Sequence, residues 1–171
     1  FGCAPYFSAF PGSISLRVET LLAVARDLVA SLHTSGFRRV MIVNGHGGNS
    51  AVGNLTQELM AEYTDMSIKF HAWYAAPRTM AKAKEVHANP SHANWFENFP
   101  WTRLANIAMP SEEKPMVDFT ALKLSSPAGA RELLGDGCFG GAYQIEDEKM
   151  LALWATGVEE TREMLEGPWP N

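Results

Sequence analysis

The sequence has few cysteines, no excess of basic charge and no long apolar run, and each shortage excludes something. Its 171 residues include two cysteines, Cys3 and Cys138. That is too few for a disulfide framework or a cysteine-based zinc site, and it fits a reducing compartment, with the cytoplasm as the expected location. Lys and Arg number 14 against 19 Asp and Glu, a formal net charge of −5. No basic balance exists to drive nucleic-acid binding. No apolar stretch approaches the roughly 20 residues of a membrane span, so neither nucleic acid nor a membrane is an expected partner. The opening Phe1-Gly2-Cys3-Ala4-Pro5-Tyr6 has no charged n-region followed by an apolar h-region. It reads as the interior of a longer protein. What is present is the composition of a folded chain. Hydrophobic residues make up 46% and charged residues 19%, which excludes intrinsic disorder. At this length about 70% of the unfolded surface goes inside. No internal repeat is found, and one domain over residues 1–171, with an N-terminal part missing, is the expectation.

Periodicity then places the elements. Leu21, Leu22, Ala25, Leu28, Val29 and Leu32 recur at helical spacing and predict a helix over residues 17–34. Ser15 is its expected N-cap, and Gly36 its left-handed terminator. Val40-Met41-Ile42-Val43 is short, continuously apolar and mostly β-branched, and reads as a strand buried on both faces. A helix over 50–63 follows, with Val52, Leu55, Leu59 and Tyr63 as its buried stripe, and then a strand over 68–73. This alternation predicts a parallel α/β sheet with helices on its faces. Residues 75–108 are irregular, with a helix over 91–107 expected to be kinked or broken at Pro100. Residues 110–120 read as loop. Ser126-Pro127 starts a short helix ending at Gly135. A glycine-rich loop over 135–141 precedes a last helix over 147–166, with Met150, Trp154, Val158 and Leu165 on one face.

The chemistry-bearing run is Asn44-Gly45-His46-Gly47-Gly48-Asn49, placed where a strand stops and a helix starts. Ligands of open α/β sheets bind beyond the carboxyl ends of the strands. The amides of Gly47, Gly48 and Asn49 are candidates for holding an anion or a developing oxyanion, and His46 is a candidate metal ligand. A tight turn with an incidental histidine explains the run equally well. A nucleotide-phosphate loop fits poorly, because G-x-G-x-x-G spacing and a following Lys-Ser/Thr are absent. The second cluster is His92 with Glu97, five residues on. On a plain helix that spacing separates them by about 140°, so they need not share a role. A loop histidine and a solvated acid form the plainer reading. His33 reads as a surface residue, His71 as a satisfied core or rim residue, and His87 as a neighbour of His92. Trp73, Trp95 and Trp101 are candidate pocket walls or plain core.

Together these features resemble the creatininase (creatinine amidohydrolase) family. Phe10-Pro11-Gly12-Ser13-Ile14-Ser15-Leu16 resembles its F-P-G-T-x-S-L segment, Asn44 to Asn49 its N-G-H-G-G-N signature, and His92-Ala93 with Glu97 its H-A-G-x-x-E-T-S segment. Gly135-Asp136-Gly137 and the last helix resemble its C-terminal part. The resemblance implies a three-layer α/β/α fold with a mostly parallel sheet. It implies a metal-dependent hydrolase that cleaves C–N bonds of linear or cyclic amides, other than ordinary peptide bonds, through a metal-activated water. The ion is a divalent metal, zinc first, with manganese or iron as alternatives. It implies His46 as a metal ligand, Glu97 as a second ligand or an acid behind the ligands, and His92 as the proton-transferring residue. The expected partners are a small-molecule amide and further copies of the chain, since members are commonly homo-oligomers, often hexamers. Three departures accompany the match. The family's N-terminal E-x-H-G-x-H-L-P…D segment is absent, so the chain reads either as a fragment or as a binding or assembly module without its metal centre. Gly48 stands where creatinine-cleaving members have Glu, which argues against creatinine as substrate. Asn94 replaces a usual Gly and Asn98-Phe99 replaces Thr-Ser, with Trp95 and Phe96 expected to contact substrate.

Overall fold

The computed structural model describes residues 2–169. Its described residues form α1 (Val18–Thr34), β1 (Arg39–Asn44), α2 (Ala51–Glu62), β2 (Ser67–Ala72), α3 (Pro77–Val86), α4 (Phe119–Leu124), α5 (Pro127–Leu134) and α6 (Asp147–Glu166). β1 and β2 pair in parallel from Arg39 opposite Ser67 to Asn44 opposite Ala72, with α2 as the crossover. This is an α/β fold built on a small parallel sheet. The chain forms two compact units. The first comprises the residues up to Pro5, Ile14–Ala76 and the stretch from Glu159. The second comprises Tyr6–Ser13 and Pro77–Val158.

In the first unit, α2 buries Val52, Leu55 and Leu59 of the stripe expected from its spacing, while Tyr63, its fourth expected member, is half-buried at the helix end. Leu55 and Leu59 meet Val29 of α1, Met66 and Ile68, with Val40 and Ile42 packed alongside. Each such fully buried aliphatic side chain stabilises the fold by about 1.5–3 kcal/mol. Cys3 fills a second small core with Leu21 and Val52, which fixes the N-terminal segment against both helices. Gly36 takes φ +90°, and its amide caps the His33 carbonyl, so α1 ends as its glycine predicts. The N-cap differs. Ser15 is not at the helix start, which falls on Arg17; its hydroxyl instead accepts the Ala4 amide.

β1 is not buried on both faces. Its apolar residues are half-covered and Val43 is 53% exposed. Among the described residues β1 has one partner strand, and its open side forms an apolar groove of about 400 Å³ with Leu21, Val24 and Leu28 of α1. An apolar β-branched run records the wish to be covered, but only neighbouring elements supply the cover.

In the second unit α5 matches expectation, with Ser126 Oγ accepting the Gly129 amide and Pro127 opening the helix. Leu122, Ala130 and Leu134 form its core with Tyr6, Phe7, Phe10, Val117 and Phe139 around them. The expected helix over 91–107 is absent. Two short 3-10 turns, Trp95–Glu97 and Pro100–Thr102, stand there instead. Ala93 sits at φ +54°, and the Asn94 carboxamide takes the amides of Ser91 and Phe96 that a helix would need. Helix α3 arises where irregular chain was expected, and α4 starts at the end of the expected loop over 110–120; Pro77 begins α3, and Asp118 caps α4 by accepting the Thr120 and Ala121 amides. α6 has the expected bounds, and of its apolar face Met150 is buried, together with Leu153 and Gly157. Trp154, Val158 and Leu165 are exposed. One residue is a 100° rotation on a helix, and Trp154 instead lies edge-on to Phe99 and Trp101 at the surface.

Candidate functional site

The turn after β1 is built by its own side chains. Asn44, buried at the strand end, accepts the His46 amide on Oδ1 at 3.2 Å and donates Nδ2 to the His46 carbonyl at 2.9 Å. Both polar groups of the His46 main chain are thereby held. The His46 ring is held too, because its Nε2 lies 2.8 Å from the Cys3 carbonyl oxygen. A carbonyl only accepts, so Nε2 carries the proton and the lone pair falls on Nδ1. A carbonyl-anchored imidazole of this kind presents its second nitrogen as a ligand.

The same segment closes over the glycines. Asn49 Oδ1 accepts the Cys3 amide at 3.1 Å. A Cβ on Gly48 would lie 1.7 Å from the Cys3 carbonyl oxygen and 2.7 Å from His46 Nε2. Gly48 is therefore a glycine because another backbone occupies its side-chain position. The Asn49 amide, expected to help hold an anion, donates to the His46 carbonyl at 3.1 Å and is committed within the turn. Sequence reading also missed Cys3, whose partners lie 43 and 46 residues away.

In the second unit the structure brings His92 and Glu97 together. His92 Nδ1 is 3.5 Å from Glu97 Oε1, and Glu97 Oε2 accepts the Ala93 amide at 3.1 Å. The turn at Ala93 defeats the 140° separation of a straight helix. The imidazole is flanked by Phe7 and Phe139, with ring centroids at 4.8 and 4.9 Å. Asn94 is 1% exposed and uses its whole carboxamide, accepting from Ser91 and Phe96 and donating to the Asn89 and Gly140 carbonyls at 2.7 and 2.8 Å. It binds the His92 turn to the glycine loop, a role its replacement of glycine did not announce. Trp95, expected at the substrate, is 0% exposed and donates its indole N–H to the Ala88 carbonyl, so it lies in the core of this unit. His87 meets its ring and stands 3.6 Å from Glu113, lining a polar groove that His92 does not line. His71 is buried and bonded to Thr161 Oγ1. Burial pushes the Cys138 thiol above its ordinary range, which makes it a poor nucleophile.

With an anchored histidine in an N-G-H-G-G-N turn and, later in the chain, a His–Glu pair, the whole sequence can be set against known families. Residues 1–165 match the profile of creatininase, creatinine amidohydrolase. The chain belongs to this family. Solved creatininases share its fold. A Glu-to-Gln mutant creatininase of the Zn–Zn type superposes with a TM-score of 0.63 at 19% identity, covering 95% of this chain and 69% of that one. A manganese creatininase gives 0.58 at 18% identity over 95% and 69%. A candidate creatinine amidohydrolase from Bacteroides fragilis NCTC 9343 gives 0.60 at 21% identity over 96% and 67%. No curated protein matches the sequence.

The creatininase neighbours thus include zinc and manganese forms, which supports a divalent metal for the family. The residues here meet that demand in part. His46 has the protonation and anchoring of a ligand. A catalytic zinc takes three protein ligands, and within either unit no three His, Cys, Asp or Glu side chains among the described residues are gathered to hold an ion. The described residues offer one well-prepared ligand, not a complete set. No described helix is long and apolar enough to cross a membrane.

Proposed function

We propose that this chain belongs to a metal-dependent amidohydrolase that cleaves a C–N bond in a small linear or cyclic amide other than creatinine. The observation that carries the reading is His46: the family's signature histidine has its Nε2–H fixed on the Cys3 carbonyl and its Nδ1 left as the ligating nitrogen. In such enzymes a bound divalent ion, zinc by preference here, brings the pKa of its water toward neutrality. The chain's own contribution is orientation and proton transfer. His92 delivers a proton to the leaving nitrogen, and Glu97, whose Oε1 stands 3.5 Å from His92 Nδ1, orients its ring. The amides of Gly47 and Gly48 are the proposed oxyanion donors. Creatinine is set aside because creatinine-cleaving members carry a Glu where this chain has Gly48, and the Cys3 carbonyl leaves no room there for any side chain. Homo-oligomeric assembly, up to a hexamer, and a cytoplasmic location belong to the same proposal.

The alternative is a binding or assembly module of the same fold without a working metal centre, which the incomplete ligand set among the described residues favours. Elemental analysis separates the two, applied to this chain and to the chain preceded by any natural upstream coding sequence. Stoichiometric zinc or manganese that is lost in His46→Ala, with turnover of some member of an amide panel, supports the hydrolase. Absence of metal from both preparations refutes it and leaves the module.

A further inference from the structure

The loop over residues 135–141 carries Phe139 against His92, yet all four of its glycines, Gly135, Gly137, Gly140 and Gly141, sit at positive φ, +63°, +95°, +113° and +90°. Glycine-rich chain has the most backbone freedom to lose, so such a loop holds a shape only if something outside it does the holding. One residue outside it ties both of its ends. The Lys114 ammonium donates to the Leu134 carbonyl at 2.5 Å, to Asp136 Oδ1 at 2.6 Å and to the Cys138 carbonyl at 2.8 Å. That uses all three of its donors, on a side chain only 19% exposed. The Lys114 main chain meanwhile exchanges two hydrogen bonds with Gly141, at 3.1 and 2.7 Å. Asp136 is locked in turn. Its Oδ1 also accepts the Cys138 amide and its Oδ2 accepts the Tyr143 hydroxyl. Between these ties lies Phe139. Its amide donates to the His92 carbonyl at 3.1 Å, its carbonyl accepts the Val117 amide at 3.0 Å, and its ring covers His92.

We propose that Lys114 is a positioning residue for His92, acting through Asp136, the glycine loop and Phe139. One ammonium group, on which three oxygen atoms converge, holds the start and the middle of the loop together. An apolar side chain cannot replace it, and the planar arginine fork does not reproduce three converging bonds. As a statement about turnover this rests on the proton-transfer role given to His92. As a statement about geometry it does not, and the test separates the two.

The test is NMR of the histidine ring protons in the full chain, with His92 assigned by the signal lost in His92→Gln. Ring currents from Phe7 and Phe139 set the His92 signals apart. In Lys114→Met those signals move toward the free-histidine position, while those of His33 and His71 in the other unit stay in place. Asp136→Asn, which keeps the ammonium and weakens one tie, gives a smaller shift in the same direction and decides the matter if Lys114→Met does not fold. In a preparation that turns over an amide, Lys114→Met lowers kcat by up to about 100-fold with KM little changed. His92 signals that stay put in both variants, even with a lowered melting temperature, overturn the proposal by showing that Lys114 only stabilises. An absence of hydrolysis in every preparation counts against the functional reading and leaves the NMR result to stand alone.

Discussion

Replacing Gly48 by alanine adds a single methyl group, and the structure sets its consequence. The new Cβ would lie 1.7 Å from the Cys3 carbonyl oxygen, where contacts below 3.0 Å are essentially never seen, so the two must separate by at least about 1.3 Å. The carbonyl cannot swing away freely, because Cys3 is buried between Leu21 and Val52. Moving it breaks the 2.8 Å bond that anchors His46 and strains the 3.1 Å bond from Cys3 N to Asn49. Two such bonds are worth about 1 kcal/mol each, and overpacking adds about 1–3 kcal/mol. A destabilisation of about 3–5 kcal/mol is expected, or roughly 10 °C in melting temperature for a chain of this size. Gly45 and Gly47 provide controls within the same turn. Their alanine Cβ atoms meet nothing nearer than 3.7 Å, and both variants should stay within about 1 kcal/mol of the parent. Urea unfolding followed by tryptophan fluorescence measures all three. If Gly48→Ala melts together with Gly47→Ala, the packing of Cys3 over the turn is wrong, and with it the anchored tautomer of His46.

Two further predictions concern the second unit. Asn94→Ala leaves four partners of one carboxamide without it, two of them, the Phe96 amide and the Gly140 carbonyl, buried, and should cost about 2–5 kcal/mol in the same urea assay; a loss below about 1 kcal/mol would remove Asn94 as the tie between the His92 turn and the glycine loop. The Asp136–Tyr143 pair should titrate outside ordinary ranges. Burial pushes Asp136 upward, but hydrogen bonds from Lys114, Tyr143 and the Cys138 amide outweigh it and hold the carboxyl below 3.8, while the bond to Asp136 and burial push the Tyr143 phenol up to about 12. The Asp136 contribution to stability is thus present above the usual carboxylate range and lost as pH falls through its lowered value; that of Tyr143 is present below pH 10 and lost as pH rises through about 12. Ultraviolet titration of the phenols should show a tyrosine titrating at about 12 that moves back toward 10 in Asp136→Asn, and an unmoved midpoint would mean that the hydrogen bond does not set it.

Local signals in the sequence determined whatever depends on residues a few positions apart. The bounds of α6, the Ser126 cap, the glycine stop after α1 and the inner stripe of α2 all follow from spacings of three or four and from single-residue backbone preferences. The turn around His46 was legible for the same reason, since its residues adjoin and the motif lies at a strand end. Tertiary structure decided everything set by distant partners. Whether β1 is covered depends on which strands lie beside it, and its half-exposed residues carry the same apolar letters that a central strand would. The buried face of α6 turned on Leu153 and Gly157 rather than Trp154 and Val158, a choice made by the surfaces it packs on. The His92–Glu97 pair needed a left-handed Ala93, which Asn94 supports by reaching Gly140, 46 residues away. Lys114 shows the limit most clearly: in sequence it is one more surface-type cation, and its three acceptors lie 20 to 24 residues downstream. A hydrogen bond between such positions leaves no periodicity behind, because its energy depends on where the folded chain brings the two atoms and not on what stands next to either.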